Sequence, residues 1–243
     1  MPEIARRAHK VIAGSPFLDQ TARSGWGVTQ SVLRPVKLKR YFGSTDMVRV
    51  MIGAGPGAKK GWLATDLTPT RSDVVLLDAG KRFPFDDRTV DRIHTEHMIE
   101  HVPFDVGQNM LRECFRVMKP GGRIRIATPD YDRVVGLARD DVPADVRELY
   151  RQSNLRAGTD PQVADEAIFT INRLFSGHFH RFLYSELVLG RELEKVGFVG
   201  VTRYDSGVTD DPEFEGLDQH GNQIDPEWNK FQTLVLEAEK PRP

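Results

Sequence analysis

The sequence predicts an α/β fold: a mostly parallel, seven-stranded sheet with helices on both faces and a helical cap inserted late in the chain. Three observations lead to it. The buried run Val48 to Ile52 ends in the glycine turn Gly53-Ala54-Gly55-Pro56-Gly57. Short apolar or alternating runs follow, with helical segments between them, as in a parallel sheet covered on both sides. That alternation stops over residues 130 to about 180 and then resumes.

Composition sets the bounds. With 243 residues, 39% hydrophobic and 28% charged, the chain fits one large α/β domain or a domain with a small annex. A net charge of −1 creates no global field for nucleic acid or an anionic membrane. The single cysteine, Cys114, excludes an internal disulfide and suits a reducing compartment. Its neighbours Leu111, Phe115 and Met118 mark it as a buried structural thiol. The opening residues lack the apolar core of a signal peptide, and no run is long enough for a membrane helix, so a cytoplasmic protein is expected.

In order, residues 1–46 form an arm carrying Arg6, Arg7, Lys10, Arg23, Arg34, Lys37, Lys39 and Arg40 against Glu3, Asp19 and Asp46. Such a basic arm could cover a pocket, pair with a second copy in a homo-oligomer or meet an acidic substrate, and a solvated arm packed loosely is the plainer reading. The main domain spans 47–243. Its strands are expected at Met47–Ile52, Trp62–Asp66, Asp73–Asp78, Val90–His94, Gly122–Ala127, Val199–Tyr204 and Phe231–Glu239. A helix over Val106 to Met118 shows apolar residues at helical spacing and stops at Lys119-Pro120-Gly121-Gly122. The cap, about 131–180, has an N-cap signal at Asp160-Pro161 and a face of Ala164, Ile168, Ile171 and Phe175. A further helix with Leu189, Leu193 and Val196 ends at Gly197. Residues 205–230 form a long acidic loop, a feature that is usually functional or disordered.

Function concentrates at the glycine turn and at three acids after it. Asp66 ends the second strand, Asp78 the third, and Glu96 follows the fourth. In open α/β sheets ligands lie outside the carboxyl ends of the strands, so these residues would line one crevice. A carboxylate at Asp66 can accept both hydroxyls of a ribose, and one at Asp78 an exocyclic amine of a base. Gly53, Gly55 and Ala58 also satisfy GxGxxG/A, the fingerprint of an NAD(P)-dependent oxidoreductase. That reading needs a long first helix and an acid about twenty residues on, where Asp73 begins a strand instead. His97-Met98-Ile99-Glu100-His101 matches H-x-x-E-H, a zinc peptidase pattern, but indicates no clear third ligand, and no metal is expected.

Taken in order, IGAGPG, TD, LDAGKRFPFDDRTVDRIHTEHMIEHV and LRECFRVMKPGGRIRIATPD resemble the class I methyltransferases that use S-adenosylmethionine. The likeness covers about residues 47–130, with HFHRFLYSEL extending it weakly. It is nearest to small bacterial enzymes of polysaccharide and glycolipid biosynthesis. The resemblance implies a Rossmann-like sheet. It puts Gly53, Ala54, Gly55 and Gly57 under the methionine part of the cofactor, Asp66 and Leu67 at the ribose, Asp78 and Ala79 at the adenine, and Glu96 and His97 beside it. One departure stands out: only Ala58 to Gly61 separate Gly57 from Trp62, whereas a parallel crossover normally needs a dozen or so residues.

Methyl transfer is a direct displacement, so the protein must align nucleophile, methyl and sulfur and exclude water. An alcohol nucleophile also needs a base, for which histidine fits near neutral pH. The candidates are His97, His101, His178, His180 and His220. His178 and His180 follow the cap helix at alternate positions and so face one side. They are expected as base and substrate anchor, with His97 beside the cofactor. Arg173 and Arg181 could hold an anionic acceptor. Phe83 and Phe85 either flank the adenine or pack under the sheet edge. The expectation is an O-methyltransferase acting on a hydroxyl of a sugar, glycan or other small polar metabolite. The alternative is a cofactor-binding module without turnover.

Overall fold

The computed structural model describes residues 32–55, 59–69, 71–218, 220 and 224–243. Gly57 and the arm up to residue 31 lie outside the described residues. Seven strands, β1 (Arg49–Ile52), β2 (Leu63–Asp66), β3 (Val75–Leu76), β4 (Val90–Glu96), β5 (Met118–Pro129), β6 (Val199–Tyr204) and β7 (Thr233–Glu239), form one sheet in the order β3-β2-β1-β4-β5-β7-β6. All pairs among β1 to β5 are parallel, and β7 runs antiparallel to both its neighbours.

One face of the sheet is the main core. Val50, Ile52, Ile93, Ile124, Ile126, Leu234 and Leu236 point into it. Helix α1 (residues 32–42) contributes Leu38, Tyr41 and Phe42, α2 (Phe104–Val117) contributes Met110, Leu111, Cys114 and Val117, and α6 (Glu186–Val196) contributes Leu189 and Leu193. The end of the basic arm is thus a helix docked on the core. The Tyr41 hydroxyl donates to the Arg49 carbonyl at 2.8 Å and lies 3.0 Å from that of Gly61. Phe83 and Phe85 pack in this core against Phe42, and Cys114 is buried there, where burial pushes its thiol up.

The opposite face is charged. The intervening strand positions are Arg49, Arg92, His94, Arg123, Arg125 and Glu237, and the acidic segment 205–218 lies over them. Arg125, Asp218 and Glu237 have buried side chains: the Arg125 guanidinium donates to both Asp218 oxygens and, at 2.5 Å, to Glu237. His94 Nε2 lies 3.3 Å from Asp218, Arg92 donates to Asp211 at 2.6 Å, and Arg123 donates to Asp210 at 2.7 Å and Glu237 at 2.8 Å. Arg49 pairs with Glu213. Phe214 and Leu217 close a small apolar cluster with Met51 and Trp62.

This strap occupies the side of β1 and β2 where a crossover helix would otherwise rest. Among the described residues between β1 and β2 there is no helix, only the glycine turn and a turn at Lys59–Trp62. The Lys59 ammonium donates to the Glu215 carbonyl at 2.6 Å. Two parallel strands in register, Val50 opposite Leu63, are therefore joined by a short loop whose missing cover comes from the far end of the chain.

Beyond the ends of β5 and β7 the helices α3 (Tyr131–Gly136), α4 (Ala144–Arg156), α5 (Ala167–Asn172) and α7 (Pro226–Gln232) pack together. Two expectations are corrected here. The helix expected from Asp160-Pro161 begins only at Ala167, because the Asp160 carboxylate instead closes a local turn on the Gln162 amide at 2.9 Å. Ile168 and Phe175 of its expected face are 60% and 43% exposed. The last strand begins at Thr233, not Phe231, because Asp225-Pro226 starts a helix. Asp225 Oδ1 accepts from the Glu227 and Trp228 amides at 3.1 Å each.

Removing Arg125 would leave Asp218 and Glu237 buried without their cation. Arg125→Met should therefore cost about 3–5 kcal/mol in urea unfolding at neutral pH, and a loss under about 1 kcal/mol would mean that the strap is held by other contacts. Burial alone would raise the Asp218 carboxyl, but hydrogen bonds from His94 and Arg125 outweigh it and hold it well below its ordinary 3.8. A depressed carboxylate contributes stability that is present above the unfolded value and lost as pH falls through the folded one. Asp218→Asn should accordingly flatten the fall in stability below pH 3.8.

Candidate active site

The glycine turn leaves β1 with Gly53 at φ +68° and Gly55 at φ +51°, backbone that L side chains adopt at a cost. The two glycines are required for different reasons. A Cβ on Gly53 would lie 2.2 Å from Met98 Cγ, whereas one on Gly55 would meet nothing within 4 Å among the described residues. Gly53 is closed in by protein, and Gly55 opens on space that a ligand can fill.

The three acids lie at successive strand ends. The Asp66 carboxylate accepts from the Gly55 amide at 3.1 Å and the Thr68 amide at 2.8 Å, which ties the end of β2 to the glycine turn. Leu67 beside it is exposed. Asp78, just past β3, caps a turn by accepting from the Gly80 amide at 2.9 Å, and Asn109 of α2 donates to the Ala79 carbonyl at 2.9 Å. Glu96 ends β4 and accepts from the His220 amide at 2.9 Å. A side-chain-free turn, open space at Gly55 and carboxylates on neighbouring strands fit a nucleoside whose other end is cationic. The residues present therefore suit S-adenosylmethionine.

Next to Glu96 the chain turns sharply, with His97 in the left-handed region at φ +47°. Its Nδ1 lies 3.1 Å from Glu100 Oε1, and its Nε2 is a buried atom with no partner among the described residues. Glu100 is fully buried, and its second oxygen accepts from the Thr128 hydroxyl at 3.0 Å. Burial disfavours the charged form of each partner, but the hydrogen bond and the opposite charge outweigh it, so His97 is raised and Glu100 lowered. Glu96 and Asp218 add to the pull on His97. His220 stacks its ring 3.9 Å from that of His97 and, by burial and then by His97, is pushed down to about 4.

His97 and His220 share a pocket of about 560 Å³ with His101, His178 and His180, so all five candidate histidines meet there. The His101 and His180 rings lie 4.8 Å apart, and those of His178 and His180 5.7 Å. Burial lowers both His178 and His180, and His180 Nδ1 is buried with no hydrogen-bond partner among the described residues. Phe179 between them is 82% exposed at φ +60°. Arg173 also lines the pocket. Arg181 does not: its side chain is exposed, and its amide donates to the Glu100 carbonyl at 2.7 Å.

Glu100, His101 and His180 offer ligand atoms within 4.8 Å of one another, so they are the described residues that could hold a metal. An ion there would compete with His97 and Thr128 for Glu100. The sequence reading missed Glu100 as part of the site, although it noted the H-x-x-E-H pattern. That pattern puts Glu100 one helical turn after His97, and the observed contact is between those two side chains rather than between the two histidines.

A family model described as a methyltransferase domain matches residues 50–126, which run from β1 through most of β5. This part of the chain is a class I, S-adenosylmethionine-dependent methyltransferase domain, and S-adenosylmethionine is its cofactor. Among curated proteins none matches the chain. Similar solved structures include a SAM-dependent methyltransferase from Archaeoglobus fulgidus, 18% identical over 88% of this chain and 94% of that one, with a TM-score of 0.47. A SAM-dependent methyltransferase from Thermotoga maritima is 15% identical over 92% and 96%, with a TM-score of 0.46. Phosphoethanolamine N-methyltransferase 2 from Haemonchus contortus, in complex with S-adenosyl-L-methionine, is 13% identical with a TM-score of 0.43, over 86% of this chain and 52% of that one. The chain thus spans about half the length of the Haemonchus enzyme. Likenesses this distant transfer no substrate.

The two glycines should respond differently to alanine. Gly55→Ala should cost only the about 1–2 kcal/mol of a left-handed alanine while weakening S-adenosylhomocysteine binding in calorimetry. Gly53→Ala must also displace Met98 and should lower the thermal midpoint further. Equal midpoints, or unchanged affinity in Gly55→Ala, would contradict this division.

Proposed function

We propose that the protein is an S-adenosylmethionine-dependent O-methyltransferase acting on a hydroxyl of a sugar, glycan or other small polar metabolite. In this reading residues 131–180 act as a cap over the strand ends, and the histidine pocket receives the acceptor. Cofactor contacts fall to Gly53, Ala54, Gly55, Asp66, Leu67, Asp78, Ala79 and Glu96. The cofactor supplies an electrophilic methyl on a sulfonium, which needs an aligned nucleophile and little else.

The observation that carries the reading is the buried His97 Nε2, which has no hydrogen-bond partner among the described residues, on a ring that lines the pocket and has Nδ1 held by Glu100. A hydroxyl next to Nε2 would give up its proton to that atom as attack begins, and the Glu100 carboxylate would stabilise the imidazolium that forms. A carboxylate that fixes tautomer and orientation is what a histidine base requires. His97 is therefore proposed as the base, in preference to His178 and His180, which burial leaves less basic. His178 and His180 then serve as acceptor-wall residues. The single buried Cys114 supports a cytoplasmic setting.

Labelled S-adenosylmethionine added to a cell extract with the protein should yield a methylated product. Binding of S-adenosylhomocysteine without any labelled product would point to a module without turnover. His97→Gln should lower kcat by about 10²–10⁴-fold. A base must be neutral to act, and Glu100 raises His97 above its ordinary 6.5, so the acid limb of kcat/KM should lie above that value. Glu100→Gln, which removes the stabilising charge, should move the limb to lower pH, and an unmoved limb would exclude the pair.

A further inference from the structure

We infer that the acceptor carries a carboxylate or phosphate group, and that Arg173 binds it at the wall of the histidine pocket. The inference rests on the reading of that pocket as the acceptor site. Arg173 opens the π-helical turn Arg173–Gly177 that continues α5. Its guanidinium donates to Asn154 Oδ1 at 3.1 Å and to Ser153 Oγ at 3.0 Å, both neutral acceptors on α4. Asn154 is itself buried and fixed, donating to the Ala164 carbonyl at 2.9 Å and accepting from Thr170 at 2.7 Å. The guanidinium is held in place, but its charge is not offset.

That sets it apart from the other partly buried arginines. Arg49, Arg116, Arg123, Arg125 and Arg203 each have a carboxylate partner that raises them. Arg173 moves the opposite way, lowered by burial, with no acid among the described residues to counter it. A guanidinium does not escape by losing its proton, and a desolvated cation without a partner is costly. The lining offers no answer among the described residues. Its one acid is Asp225, which is occupied by the amides that start α7 and by Arg156 at 3.1 Å. A small anion would supply the missing charge, using the fork geometry that suits carboxylate and phosphate. A volume of about 560 Å³ suits a small metabolite with its hydroxyl at His97 and its anionic group at Arg173.

The test is calorimetry on protein loaded with S-adenosylhomocysteine, titrated with glycerol, glycerate and glycerol 3-phosphate. These three small polyols differ in carrying no charge, a carboxylate or a phosphate. Glycerate, glycerol 3-phosphate or both should bind measurably and glycerol should not, the tighter of the two showing which anion the site prefers. Arg173→Met should weaken that binding by about tenfold or more, as for loss of a charge-assisted hydrogen bond. Arg173→Gln, which can keep the bonds to Ser153 and Asn154, gives the same comparison with the local fold retained. Equal affinity for all three compounds, no binding of either anion, or anion binding that both variants leave within about twofold would overturn the inference. Failure of S-adenosylhomocysteine to bind would instead sink the methyl-transfer reading, and the anion titration without cofactor still decides the role of Arg173.

Discussion

The pairing of an arginine-lined sheet face with an acidic strap is the constraint on which the rest of the structure depends. Parallel strands covered by helices on both sides usually read as continuous apolar runs. Here β1, β4, β5 and β7 alternate, with one set of positions in the apolar core and the other set Arg49, Arg92, His94, Arg123, Arg125 and Glu237. Such a face cannot be covered by an apolar helix stripe. It needs carboxylates delivered at fixed points, and Asp210, Asp211, Glu213 and Asp218 deliver them. The short crossover between β1 and β2 and the long acidic loop near the C-terminus are therefore two sides of one arrangement. The first leaves a gap, and the second fills it with charge pairs and the Phe214–Trp62 contact, whose ring centroids lie 6.1 Å apart.

The strap also builds the site. Asp218 anchors it under β4 and β5, and two residues later His220 donates its amide to Glu96 and lays its ring against His97. Position and basicity at the end of β4 thus depend on a segment that sequence separation alone would assign to another part of the protein. Glu100 secures the same spot from the other side, through His97, Thr128 and the Arg181 amide. A strained backbone at His97 persists because these contacts over-determine it.

Most of the sheet was legible because its signals are local. The glycine turn, the acids at strand ends, the Leu189–Leu193 helix with its Gly197 stop and the strand Val199–Tyr204 each fall within a few residues of one another. The misses have a common cause. Asp160-Pro161 and Asp225-Pro226 carry the same helix-start signal, yet only the second has a helix at once after it, with Trp228 buried beside Tyr150 and Leu137. After Asp160 the chain instead turns inward to bury Ala164 under Asn154. Propensity allowed both outcomes and packing chose between them. The acidic loop reads as functional or disordered because its partners, the alternating arginines, lie up to 164 residues earlier in the chain and no local rule connects them; Arg49 and Glu213 are the extreme pair.

The site divides along the same line. Its cofactor half belongs to the ends of β1 to β4, where periodic strands put glycines and acids in predictable places. The pocket proposed for the acceptor is assembled from residues 97–101, from the 153–180 helices and turns, and from His220 and α7. These segments have no periodicity that binds them to one another. The five histidines could be identified as candidates by residue type, but their convergence follows from α7 packing against the cap helices through Trp228 and Phe231 and from His220 lying against His97. Glu100 shows the limit most clearly. By its spacing it is a neighbour of His97 and of His101 alike, and what selects His97 is Thr128 at the end of β5, which holds the carboxylate from a strand 28 residues away. Fold-level patterns thus identify the cofactor half, whereas the pocket proposed for the acceptor depends on contacts that exist only once the charged sheet face has been covered.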